Sequence, residues 1–236
     1  MTRLKDKIAL VTGASRGIGA AVAERYAKEG AHVIALARTT GALEELDDRI
    51  KAAGGSATLV PLDLANAGDA IDQLGATIHE RWGKLDILVG NAAQIGHLGP
   101  ITHAAPKQWN DIMAVNVTAN FRLIRSMHPL LSASEAGRAI FVTSSVGGGG
   151  ERPYWGMYGS SKAALEHLVN TYALEVADSP IKVNMVNPGA TRTAMRAKAF
   201  PSEDPMTLKT PESITDLFVD LAEAKCRHHA EIVDAA

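Results

Sequence analysis

Cysteine is nearly absent. Cys226 stands alone in 236 residues, which excludes an internal disulfide and points to a reducing compartment. A strong charge of either sign is missing too: 24 Lys and Arg against 26 Asp and Glu leave a formal net charge of −2. No basic field invites nucleic acid, and no acidic tail suggests a protein partner. No apolar run reaches membrane length, and the opening MTRLKDKIALVTGAS holds only a five-residue run, too short for a signal-peptide core. With one cysteine and scattered histidines, no metal site is expected; adjacent His228 and His229 read as solvated tail residues. A cytoplasmic protein without metal or membrane is the expectation.

What is present is core. Hydrophobic residues make up 46% of the chain, enough for one α/β domain of ordinary size spanning residues 1–236. Short β-branched runs recur: IALVT (8–12), HVIAL (32–36), ATLVPL (57–62), DILVG (86–90), AIFVT (139–143) and KVNMV (182–186). Most are continuously apolar, as strands buried on both faces should be. Between them lie helical patterns, including GIGAAVAERYAKEG, GALEELDDRIKAAGG and a long segment from Pro106 to about Leu131. Gly30, Gly54 and Gly83 stand where C-terminal caps belong. Strand–helix alternation predicts one doubly wound α/β domain, a Rossmann-type parallel sheet of about seven strands with helices on both faces. GGGG (147–150) reads as a flexible loop.

TGASRGIG (12–19) follows the first strand directly. Gly13 permits a tight turn, Gly17 lets the backbone approach a pyrophosphate, and Gly19 allows close helix–sheet packing. The helix beginning there points free N–H groups at phosphates. An NAD site wants Asp or Glu at the end of the second strand, but HVIALAR puts Ala37 there, followed by Arg38. Arg38, with Arg16 from the glycine loop, suits a 2′-phosphate, so NADP(H) is favoured over NAD(H). Two surface arginines at element ends are the plainer alternative. YGSSK (158–162) sets a phenol and an ammonium one helical turn apart. Read alone, the pair is either an acid/base device or a surface tyrosine beside a solvated lysine.

Taken together, TGASRGIG, LDL (62–64), NAA (91–93), VNV (115–117), SS (144–145), YGSSK and NPGATRT (187–193) resemble the short-chain dehydrogenase/reductase family in its compact form, from about Asp6 to Thr193. The resemblance implies hydride transfer between NADP(H) and a carbonyl or secondary alcohol. It casts Tyr158 as proton donor or acceptor and Lys162 as the partner that lowers its pKa. Ser145, thirteen residues before Tyr158, would bond the substrate oxygen, with Ser144 facing elsewhere. Asn116 would hold a water linking Lys162 to solvent. Ser15 and Ile18 would complete the phosphate loop; Asp63 and Leu64 would contact adenine, and Asn91, Ala92 and Ala93 would line the adenosine ribose. Pro188, Gly189, Thr191 and Thr193 would flank the nicotinamide. A homodimer or homotetramer is also implied, with no nucleic acid or membrane partner.

Departures from the family's pattern matter. Gly90 stands where an asparagine is usual, and is expected to leave the central strands less steadied. Thr191 replaces an apolar residue and is expected to change polarity near the carboxamide. The chain ends HHAEIVDAA, so a short last strand is expected. Residues 195–213 occupy the place of a substrate lid, where Pro201, Pro205 and Pro211 oppose a continuous helix. Tyr154 and Trp155 are either an apolar wall or packing residues. A non-catalytic NADP(H) sensor or scaffold on the same fold is the alternative function; a fold-sharing epimerase or dehydratase is disfavoured by chain length and glycine spacing.

Overall fold

The computed structural model describes residues 2–235. Seven strands, β1 (Ile8–Thr12), β2 (His32–Ala37), β3 (Ser56–Pro61), β4 (Ile87–Gly90), β5 (Arg138–Val142), β6 (Lys182–Asn187) and β7 (Glu231–Asp234), form one sheet. Every pairing is parallel, in the order β3-β2-β1-β4-β5-β6-β7. The helices are α1 (Gly17–Lys28), α2 (Thr40–Ala52), α3 (Ala70–Trp82), α4 (Pro106–Met113), α5 (Ala119–Ser132), α6 (Gly156–Glu175), α7 (Ala194–Ala199) and α8 (Thr215–Ala222).

Strand periodicity sends neighbouring residues to opposite faces. Val11 and Val33 pack with Tyr26 of α1, Leu46 of α2 and Phe218 of α8. Leu10 and Ile34 pack on the other side with Ile78 of α3, Leu123 of α5 and Leu165 of α6. Each such side chain, fully buried, contributes about 1.5–3 kcal/mol of transfer free energy. Two-sided burial is why these strands read as unbroken apolar runs. The chain winds outward from β1 through β2 to β3, then returns to place β4 on the other side of β1. That reversal opens a crevice at the carboxyl ends of the central strands, where such sheets bind ligands.

Two expectations are refined. The long helix from Pro106 is interrupted: α4 and α5 are joined by a π turn over Ala114–Thr118. Asn116 causes the interruption, because its side chain is committed to the loop after β4 while Asn120 Nδ2 donates to its carbonyl oxygen at 2.9 Å. The last strand is indeed short, four residues beside β6.

At the amino-terminal end of the sheet, Asp86 is fully buried. It accepts hydrogen bonds from Ser134 Oγ (2.6 Å), the Ile8 N–H (2.9 Å), Lys84 Nζ (3.0 Å) and Lys7 Nζ (3.4 Å). Burial pushes its pKa up, but these donors and cations together hold it below the ordinary value.

Candidate active site

Thr12, the last residue of β1, closes the floor of the crevice. Its Oγ1 donates to the Val89 carbonyl and accepts from the N–H groups of Asn91 and Ala92. Asn91 Nδ2 donates back to the Thr12 carbonyl at 2.9 Å. Gly13 then turns with φ of +67°, and a Cβ there would lie 2.9 Å from Asn91 Nδ2. Gly19 has no room for a side chain, which would meet the Gly13 carbonyl. The glycine loop is therefore a packing solution that brings backbone N–H groups and the start of α1 to the cleft. Thr193 Oγ1 caps α7 by accepting from the Arg196 N–H, and its Cγ2 would lie 3.4 Å from a Cβ at Gly17.

A cavity of about 1380 Å³ runs from this loop to α6. Every site residue expected from the sequence lines it except Gly19 and Asn116. Gly19 lies behind the loop. Asn116 is fully buried, its Oδ1 accepting from the Gln94 N–H and its Nδ2 donating to the Gln94 carbonyl and Ser161 Oγ. Both amide atoms thus staple the post-β4 loop to α6. Arg16 and Arg38 stand at one end of the cavity, both exposed, with Ala37 buried where an acid would sit. A dinucleotide carrying a 2′-phosphate fits this end: glycine cradle, helix start, two guanidinium groups and no opposing carboxylate at residue 37.

At the other end, Tyr158 and Lys162 project from α6, both almost wholly buried. Lys162 Nζ donates to the Val142 carbonyl at 2.7 Å and lies 5.7 Å from the centroid of the Tyr158 ring. The expected lowering of the Tyr158 pKa is not found. Burial pushes the phenol up to about 12, partly offset by a hydrogen bond with the Ser144 side chain. Burial likewise brings Lys162 down to about 8, against the attraction of Glu166. Desolvation is the larger cause in both cases: burial disfavours the phenolate and the ammonium more than Ser144 or Glu166 stabilises them. Ser144 also departs from expectation: its hydroxyl is the one that acts on the phenol, while Ser145 lines the cavity in a more exposed position.

At the Tyr158 end the cavity has an apolar wall beside charged side chains that include Arg152 and Lys198. Ile95 and Val146 pack with Tyr158, and Leu98, Trp155, Met195 and Ala199 lie against them. Trp155 meets Tyr158 edge-on at 6.0 Å between ring centroids, and Phe200 lies 5.7 Å from Trp155. Arg196 stacks over Phe200 at 3.8 Å and pairs with Glu203 at 2.5 Å, which fixes the segment after α7. Trp155 is thus a wall of the pocket. Tyr154 is exposed instead and holds a left-handed backbone (φ +74°).

The two departures near the cofactor end have local explanations. A Cβ at Gly90 would lie 2.6 Å from Asn120 Oδ1 and would also meet the Phe141 ring, so these side chains fill the space an asparagine would need. Thr191 is buried, and its Oγ1 donates to the Pro188 carbonyl at 2.9 Å, so its polarity is spent inside the turn.

The family model of short chain dehydrogenases matches residues 7–204. The chain belongs to the short chain dehydrogenase family. This short chain dehydrogenase is 42% identical over 218 residues to the uncharacterized oxidoreductase YciK of Escherichia coli K12, covering 92% of this chain and 86% of that one. It is similar to a Shigella flexneri 2a short chain dehydrogenase complexed with NADP, at 39% identity and a TM-score of 0.95 over 100% and 99% of the two chains. A third relative, from Escherichia coli CFT073 and complexed with NADPH, is 40% identical with a TM-score of 0.93 over 99% and 98%.

Sequence reasoning missed Thr12, Asn120 and Glu166. Glu166 had a signal, since it follows Lys162 by one helical turn and so shares its face. Asn120 had none, because its role depends on the space at Gly90.

Proposed function

We propose that this short chain dehydrogenase is a cytoplasmic NADP(H)-dependent enzyme that reduces a carbonyl group to a secondary alcohol, and catalyses the reverse oxidation. The supporting observation is one cavity shared by the Tyr158 phenol, the Lys162 ammonium, two serine hydroxyls and the Arg16–Arg38 pair. NADP(H) seated on the Gly13–Gly19 loop would exchange hydride with the substrate carbon. Arg16 and Arg38 hold the 2′-phosphate; Asn91, Ala92, Ala93, Asp63 and Leu64 border the adenosine; Pro188, Gly189 and Thr191 border the nicotinamide.

Tyr158 keeps its proton at neutral pH and delivers it from Oη to the carbonyl oxygen as that oxygen gains charge. Ser145 donates a hydrogen bond to the same oxygen, while Ser144 donates to the phenol. Lys162 resupplies charge and proton near the phenol, and Asn116 fixes the loop and helix that border this route. Because burial raises the cost of a free phenolate, Tyr158 rests as the protonated form, the one that donates in reduction. An apolar carbonyl compound suits Ile95, Trp155 and Met195, and a ring suits the Trp155–Phe200 wall. One relative, 32% identical over 232 residues, is the 2,3-dihydro-2,3-dihydroxybenzoate dehydrogenase of Bacillus subtilis, whose name gives a ring substrate.

The test is NADPH consumption across aldehydes, ketones, diketones and quinones, with NADH and Tyr158→Phe in parallel. Loss of a positioned proton donor should lower turnover by roughly 10²–10⁴-fold while NADPH still binds. Full turnover by Tyr158→Phe would sink the reading. A wild-type chain that binds NADPH tightly yet reduces nothing would favour the sensor alternative.

The protein also self-associates in this reading, as a homodimer or homotetramer through α5 and α6, whose outer faces expose Phe121 and Leu174. Sedimentation showing only monomer at micromolar concentration rejects that part.

A further inference from the structure

Glu166 attracts the Lys162 ammonium, but the reaction outlined above gives its carboxylate no other task. It lies on α6 one turn beyond Lys162 and is only 8% exposed. Burying a charge is costly unless hydrogen bonds compensate it, so its partners should reveal its purpose. Thr143 Oγ1 donates to one oxygen, Oε1. The Gly148 N–H donates to the other, Oε2, at 2.7 Å. These two bonds bracket the segment 144–147, which carries both serines of the site.

The glycines confirm how closely the carboxylate is fitted. A Cβ at Gly147 would lie 2.7 Å from Glu166 Cδ and closer still to Oε1; one at Gly148 would lie 2.8 Å from Oε2. In the run GGGG, Gly147 and Gly148 are glycine because a buried carboxylate occupies the space of their side chains, while a Cβ at Gly150 would meet the Ser145 carbonyl. α6 therefore grips the end of β5 at successive points: Lys162 on the Val142 carbonyl, Glu166 on Thr143, and Glu166 again on Gly148. The strand-to-helix segment is thus tied to α6 at both of its ends.

We propose that Glu166 is a positioning residue of the reaction, whose carboxylate holds segment 144–147 so that the Ser144 hydroxyl meets the Tyr158 phenol and the Ser145 hydroxyl faces the reacting oxygen. This rests on the reductase reading, since the serines matter only if a carbonyl group is reduced beside Tyr158. Glu166 touches neither substrate nor cofactor. It acts through backbone geometry, and a displacement of about 1 Å at a reacting centre can cost up to 10²-fold in rate.

Four variants test it: Glu166→Ala, Glu166→Gln, Gly147→Ala and the double variant Gly147→Ala/Glu166→Ala. The readouts are kcat and KM for reduction of a good carbonyl substrate, NADPH affinity by fluorescence, and amide exchange of segment 144–150 followed by mass spectrometry. Glu166→Ala should lower kcat by roughly 10–100-fold, leave NADPH affinity within about twofold, and speed exchange in that segment alone. Glu166→Gln keeps an acceptor for Gly148 and a partner for Thr143, and should recover most of kcat. Gly147→Ala should injure an intact clamp but add little once Glu166 is gone, a non-additive pair. Should Glu166→Ala fail to fold, Thr143→Val removes one bond only and should show a smaller kcat loss at unchanged NADPH affinity.

Wild-type kcat in Glu166→Ala or Thr143→Val overturns the proposal, as does a kcat loss with unchanged exchange. If exchange quickens in Glu166→Ala but the wild type reduces no carbonyl, the reductase reading fails, and the assignment to the reaction fails with it.

Discussion

Lys162 carries a cation into a place where burial brings its pKa down to about 8, from an ordinary 10.5. Two consequences follow from the sign of that shift. In catalysis, the protonated lysine is the form that supports proton delivery, so kcat/KM for reduction should be level below about pH 8 and fall above it. A pH profile of the free enzyme checks this, and Lys162→Met should lack both the activity and the inflection. In stability, between about pH 8 and 10.5 the unfolded chain binds the proton and the folded chain has released it, so this group's contribution rises with pH through that window. The buried ammonium is thus a cost that the fold carries near neutrality for function. The serines are separable at this scale as well. Ser144 acts on the phenol, so Ser144→Ala should lower kcat by about 10-fold and push the phenol's own titration further up, leaving the Lys162 inflection in place. Ser145→Ala should lower kcat without moving the profile. Identical profiles for the two variants would contradict the division of labour.

Gly90 shows how an element's sequence is dictated by its neighbours. Restoring the usual asparagine would drive a side chain from β4 into the Phe141 ring and Asn120 Oδ1. Overpacking of this kind costs typically 1–3 kcal/mol, so Gly90→Asn should lower the urea midpoint, and Gly90→Asn/Asn120→Ala should recover part of it. Legibility divides along the same line. The strands were readable because two-sided burial writes itself into local composition, as in IALVT and AIFVT. The phosphate loop and Tyr158–Lys162 pair were readable because their spacing is local. The π turn at Asn116, the side on which Ser144 stands, and the glycines fitted around Glu166 were not. Each depends on a contact between residues distant in sequence: Asn116 with Gln94, Ser144 with Tyr158, and Glu166 with Thr143 and Gly148. The sequence gives periodicity and spacing, and these carry no record of which loop a helix will grip.

Across the molecule, the two ends of the sheet do opposite work. The carboxyl end accepts costs: a buried ammonium, a phenol held off its ordinary pKa, and a left-handed Tyr154 beside the pocket. The amino end supplies stability through Asp86, which joins β1, the start of β4 and the segment after α5 through Ile8, Lys84 and Ser134. Removing its carboxylate orphans the buried Ile8 N–H and Ser134 hydroxyl, so Asp86→Ala should cost about 3 kcal/mol at neutral pH. NADPH affinity should stay within about twofold, because the site is built from the other ends of the strands. The pH dependence has a definite sign. With its folded pKa held below the ordinary 3.8, Asp86 contributes its full share above that value and loses it as pH falls through the folded one. Urea midpoints of wild type and Asp86→Ala should therefore differ by a constant amount above pH 3.8 and converge on further acidification. A gap that persists unchanged into that range would assign the stabilisation to packing rather than to the charge.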